Sequence, residues 1–153
     1  MFTRIDHVGI ACRDLEASIA RYTAMFGLTL LGRETNDAQG VHEAMLHVAD
    51  APGGFSCVQL LEPTRPDSPV GRFLDAHGEG IHHLAYGVDD IAAALAQLRD
   101  GGAQLIDDQP RHGFGGSAIA FVHPHSTGGV LTELVEAARP QPSNVTLPSG
   151  LPG

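Results

Sequence analysis

An α+β fold of two tandem βαβββ modules is predicted by three observations. The chain repeats itself: "IDHVGIACRDLEASIARYTAMFG" (5–27) lies over "IHHLAYGVDDIAAALAQLRDGG" (81–102) at an offset of 76. The ends of the halves repeat too, "CVQLLEP" (57–63) over "LTELVEA" (131–137), at an offset of 74. Between the matched ends, apolar runs alternate with clusters of turn residues, as in strands joined by short loops. Neither half can bury both faces of a sheet alone. Together their strands are expected to form a curved eight-stranded sheet around a cleft, with helices outside.

Each half reads in the same order. A β-rich strand comes first, then an aspartate suited to capping a helix, Asp14 or Asp90. The helix carries apolar residues at i, i+4 and i+7: Leu15, Ile19 and Tyr22, then Ile91, Leu95 and Leu98. Glycines end it, Gly27 in the first half and Gly101 with Gly102 in the second. Three strands follow, at about 28–33, 41–48 and 55–61, and at about 103–107, 117–122 and 129–136. The turns between them are "NDAQG", "DAPGG", "RHGFGG" and "HPHSTGG". This makes one domain over 1–137, with module one at about 3–63 and module two at about 80–137. The linker, about 64–79, holds a short helix near 68–76. Residues 138–153, with four prolines and little to bury, are expected to form a flexible tail.

Composition narrows the partners. The formal net charge is -9, and all nine basic residues are arginines. Such a chain lacks the basic face that nucleic acid requires. Cys12 and Cys57 lie in apolar stretches outside any CxxC pair and read as buried, reduced thiols. The opening "MFTRIDHVGI" has no long apolar run, and no stretch approaches the ~20 apolar residues of a membrane span. A cytoplasmic protein acting on a small molecule is expected.

The repeat also aligns chemistry. His7 matches His83 in the first strand of each half, and Gln59 matches Glu133 in the last. Two imidazoles, a carboxylate and an amide suit Zn, Co, Mn, Ni or Fe(II), which makes the cleft a metal-binding one. A site completed by a neutral amide and water leaves positions open to a substrate. The small residues Gly9 and Ala85, two residues beyond each histidine, are expected to leave room for a ligand. The partner of His82 in the repeat is Asp6, so strand alternation turns His82 to the opposite face, towards packing or solvent. Glu43 shares a strand face with Val41 and Met45. A carboxylate in apolar surroundings has a raised pKa and suits a base, whereas one on an exposed edge does not; the sequence leaves both open. His42, His47 and His112 are expected to face solvent.

The segments "IDHVGIACRDL", "QGVHEAML", "QLLEPTRPDSPVGRFL", "GEGIHHLAYGVDDI", "DDQPRHGFGGSAIAFVHP" and "GGVLTELVE" cover most of residues 4–136. In them the chain resembles the vicinal-oxygen-chelate superfamily, the glyoxalase-like fold, and within it the methylmalonyl-CoA epimerases. The resemblance implies metal ligation by His7, Gln59, His83 and Glu133, with cobalt, or else Mn, Zn or Ni, as the divalent ion. It implies proton transfer at C2 of methylmalonyl-CoA through a metal-stabilised enolate, with Glu43 as base and Glu133 as its partner across the substrate. It also implies a homodimer. The chain departs from the resemblance at His125, where a lysine is expected, and at Ala118, where an arginine is expected. The CoA phosphates then fall to other groups, such as Arg111. Two further readings share the fold: a glyoxalase I-type lactoylglutathione lyase, and a ligand-sequestering binding protein that would lack the metal set.

Overall fold

The computed structural model describes residues 1–48 and 56–138. The elements are β1 (Phe2–Ala11), α1 (Leu15–Phe26), β2 (Thr29–Asn36), β3 (Val41–His47), β4 (Cys57–Pro63), α2 (Pro69–His77), β5 (Gly80–Val88), α3 (Ile91–Asp100), β6 (Arg111–His112), β7 (Ala118–Val122) and β8 (Thr132–Glu136). The turn expected at 50–54, and all but the first residue of the expected tail, lie outside the described residues.

Both long helices begin on paired carboxylates. Asp14 accepts the Ala17 N–H at 2.9 Å and Asp90 accepts the Ala93 N–H at 2.8 Å. The last strand of each half adds a second acceptor. Glu62 takes the Leu15 N–H at 2.9 Å, and Glu136, its partner in the repeat, takes the Ile91 N–H at 2.8 Å. These bonds satisfy N–H groups that a helix leaves unpaired and set negative charge at its positive end. Gly27 closes α1 in the left-handed region, at φ 68.

The strands form one sheet in the order β2-β3-β4-β1-β5-β8-β7-β6. The order is symmetric about the antiparallel β1–β5 pair, with β1 parallel to β4 and β5 parallel to β8. The two halves therefore join within one chain. The sheet curls until its edges approach each other: Asn36 of β2 donates to the His112 carbonyl at 3.1 Å, and the Gly115 N–H donates to Glu34 of β2 at 3.0 Å. Leu15 and Ile19 of α1 pack on Ala44, Leu46 and Leu60, while Ile91, Ala94 and Leu95 of α3 pack on Ala120 and Leu134. Val70 and Leu74 of α2 close the gap against Ala11, Val41 and Leu61. Cys12 and Cys57 are buried free thiols.

One expected strand is corrected. Residues 103–107 meet β7 at a single bridge, Leu105 with Val122. The Asp107 carboxylate takes the Phe121 N–H at 2.9 Å, a donor that a continued ladder would use. Pro110, without an N–H, then separates this stretch from the two-residue edge strand β6.

Candidate metal centre

The seam between the halves carries three register shifts, and two of them lie at the histidines. Ile5 pairs with Tyr86 and His7 with Ala85, so Asp6 is an extra residue in β1. His83 pairs with Gly9 and Ile81 with Ile10, so His82 is an extra residue in β5. An extra residue breaks the alternation of faces and re-aims its side chain. Asp6 and His7 are consequently both buried, and Asp6 Oδ1 lies 2.9 Å from His7 Nδ1. The expected orientation of His82 is corrected for the same reason. Its ring packs edge-on to Phe73 of α2, yet its Nδ1 lies 3.0 Å from His83 Nδ1.

Three donors from three strands converge below these contacts. His83 Nε2 lies 2.9 Å from Glu133 Oε2 and 3.1 Å from His7 Nε2, and His7 Nε2 lies 3.8 Å from Glu133 Oε2. All three residues are buried, and their ligating atoms lie within 4.8 Å of one another. Imidazole nitrogens beside a carboxylate suit a divalent cation, so the donor set fits one. Gly9 fits it too, although its space serves another purpose than expected. A Cβ at Gly9 would lie 2.1 Å from Cε1 of His83, so the missing side chain makes room for the ligand-type ring rather than for a substrate. Ala85, its counterpart, is fully buried and packs with Ile119, Phe121 and Val135.

Glu43 is buried on β3, and its Oε2 accepts from Gln59 Nε2 at 2.9 Å. Its Oε1 is buried without a hydrogen-bond partner among the described residues. Of the two alternatives left open by the sequence, the exposed edge is ruled out: the carboxylate is buried, with Gln59 as its polar partner. His42 and His112 are exposed and His47 is half-buried. A cavity of about 330 Å³ is lined by His7, Glu43, Met45, Gln59, Phe114 and Glu133, among others. That volume is within the range of small-molecule sites.

The charges follow from these contacts. Burial raises the pKa of Glu43 to about 7, helped by Glu34 and Glu133 and opposed by His7. Burial also opposes the charged forms of Glu133 and His7, but their partners win. His83 and His7 hold Glu133 down at about 2, while Asp6 and Glu133 lift His7 to about 9. At neutral pH the metal-free protein therefore keeps His7 protonated, and a cation must displace that proton. Apparent affinity is expected to rise about tenfold per pH unit towards pH 9, with one proton released. Calorimetry in buffers of different ionisation enthalpy measures the release; affinity independent of pH between about pH 6 and about pH 8 would contradict it.

Sequence reasoning missed Asp6 and its neighbour Arg4. The repeat aligns Asp6 with His82, but nothing in the residue pattern marks either position as a bulge. Arg111 is already engaged: it pairs with Asp107 at 3.0 Å and lies over the Phe121 ring. Among the described residues no helix is long and apolar enough to cross a membrane.

Residues 6–121 match the family model for the Glyoxalase/Bleomycin resistance protein/Dioxygenase superfamily. The chain belongs to this superfamily, whose glyoxalase-like fold the sequence resembles. More particular likenesses lie within it. A variant of the Streptomyces coelicolor methylmalonyl-CoA epimerase, in complex with 2-nitronate-propionyl-CoA, is 51% identical, covering 90% of this chain and 96% of its own, with a TM-score of 0.86. The methylmalonyl-CoA epimerase of Mycobacterium tuberculosis is 43% identical over 90% of each chain, with a TM-score of 0.85. The ethylmalonyl-CoA/methylmalonyl-CoA epimerase of Cereibacter sphaeroides is 33% identical over 88% of this chain and 98% of its own.

Proposed function

We propose that this chain interconverts (R)- and (S)-methylmalonyl-CoA by removing and returning the proton at C2. The observation that carries the reading is Glu43 Oε1, a buried oxygen without a partner among the described residues, in a cavity shared with the His7 and Glu133 side chains. The similarity to methylmalonyl-CoA epimerases supplies the substrate.

The C2 hydrogen lies between a thioester and a carboxylate and is weakly acidic. Glu43 takes it. The Gln59 N–H occupies Oε2 and leaves Oε1 free to accept the proton, and a proton affinity near neutrality matches a base working at that pH. His7, Gln59, His83 and Glu133 would hold a divalent cation. Gln59 would do so through its amide oxygen, since Nε2 is committed to Glu43. When bound, the cation supplies a Lewis acid for the negative charge that develops on the thioester and carboxylate oxygens. Inversion needs a second acid/base on the other face of the flattened substrate. Glu133 would fill that role second to its role as ligand: held at about 2 it is a weak base and is ionised at neutral pH, so when Glu43 removes the C2 proton the one returned on the other face must reach Glu133 from water first. Cobalt as the cation, a homodimer and a cytoplasmic location belong to the same proposal and rest on the resemblance.

Solvent exchange tests it. In D2O the Co(II)-loaded protein is expected to replace the C2 proton of methylmalonyl-CoA and to equilibrate the epimers, and chelation is expected to stop both. A cation-loaded protein that leaves the C2 proton in place overturns the reading.

A further inference from the structure

Both candidate imidazole ligands are held from behind, and both times by a bulge residue. Asp6 meets Nδ1 of His7 and His82 meets Nδ1 of His83. The offset of 76 that relates the two histidines also relates Asp6 to His82. On regular strands these neighbours would point to opposite faces, so the bulges create the contacts. Each holder is itself held. Arg4 grips Asp6 Oδ2 through Nε at 3.1 Å and Nη2 at 2.6 Å. Gly87 makes room for that grip, since a Cβ there would lie 2.9 Å from Arg4 Cζ. His82 is set against Phe73, with ring centroids 5.0 Å apart.

We propose that Asp6 and His82 are positioning residues, which keep His7 and His83 protonated at Nδ1 and turned so that Nε2 receives the cation. The inference rests on the reading of His7 and His83 as ligands. The two halves do this with different chemistry. An ionised Asp6 only accepts, so His7 Nδ1 must donate. For His83 to offer Nε2, its own Nδ1 must carry the hydrogen; His82 then accepts at Nδ1 and is protonated at Nε2. A carboxylate partner also makes its imidazole more basic, so His7 becomes the stronger donor of the pair. Without its partner, either ring is free to turn or to change tautomer. Losses of this kind typically cost about 10–100-fold in metal affinity.

Two measurements on the Zn(II)-loaded protein test this without any acyl-CoA. With 15N-labelled histidine, a scalar coupling across the hydrogen bond is expected between Nδ1 of His82 and Nδ1 of His83, together with an exchange-protected Nδ1–H on His7. By chelator competition, Asp6→Ala and His82→Ala are each expected to weaken Zn(II) binding by about 10–100-fold. His82→Asp, which copies the first half into the second, is expected to recover most of that loss. Alanine variants that bind as tightly as the wild type overturn the inference, and so does His82→Asp behaving like His82→Ala. If the variants do not fold, the wild-type spectrum still decides: no coupling between the two rings overturns the role of His82, and an unprotected His7 Nδ1–H overturns that of Asp6. A wild type that binds no Zn(II) overturns the metal centre, and this inference with it.

Discussion

Glu43→Gln is expected to cut C2 proton exchange by ~100-fold or more, the usual scale for losing a general base, while cation content stays unchanged. The substitution keeps shape and the Oε acceptor for Gln59, and removes only the basic oxygen. It should also stabilise the metal-free protein, with a definite pH dependence. The folded-state pKa of Glu43 is about 7 and its ordinary value 4.5, so ionising it in the fold is unfavourable. Below the ordinary value the carboxyl is neutral in both states and the penalty is absent. The penalty grows as pH rises from there and is complete above about 7. Thermal melting of the metal-free variant should therefore exceed that of the wild type above pH 7, with the gain fading in acid. Full exchange activity in the variant would remove Glu43 from the mechanism. An equal gain in melting temperature at all pH values would show that the wild-type carboxylate is not disfavoured by burial.

Gly9→Ala is expected to abolish cation binding at concentrations that saturate the wild type. The new methyl would lie 2.1 Å from Cε1, 2.4 Å from Nδ1 and 2.5 Å from Nε2 of His83. The ring cannot stay. His7 and Phe121 both stand edge-on to it, with centroids 5.3 Å and 5.6 Å away, so its escape moves Nε2 off Glu133. Loss of a direct ligand should exceed the about 100-fold seen for outer partners. Overpacking should cost the metal-free fold only about 1–3 kcal/mol, so the protein remains to be measured. A Co(II) titration monitored by ligand-field absorption reads the loss directly. A variant with wild-type affinity would mean that the ring does not serve as a ligand.

The repeat made most of this architecture readable. Matching His7 to His83 and Gln59 to Glu133 located positions that the structure brings together: His7, Gln59 and Glu133 line one cavity, and His83 lies against His7 and Glu133. Asp14 with Asp90 gave the helix starts. What escaped the sequence at Asp6 and His82 has one physical root. A bulge is a local change in hydrogen-bond register and leaves no side-chain signature, so strict alternation sent His82 to the wrong face and passed over Asp6. The purpose of Gly9 was hidden for a different reason: its neighbour is a residue 74 positions away in the chain. The stretch 103–107 was read as a strand from its apolar residues, but the Asp107 carboxylate takes a ladder donor and cannot be weighed from composition.

The curl of the sheet gives the molecule a spine and a clasp. Along the spine, β1 and β5 share a ladder that runs from Phe2 to Ala11. Across the clasp, the Glu34 and Asn36 side chains hold the loop around His112 and Gly115 by one hydrogen bond each, both exposed. Exposed hydrogen bonds contribute about 1 kcal/mol apiece, whereas parting the spine would undo the fold. Widening the cleft would therefore cost least at the clasp, and the bulged stretch of the spine, where the histidines sit, would be displaced least. Such a widening would make room at one side while the reacting groups kept their spacing at the other.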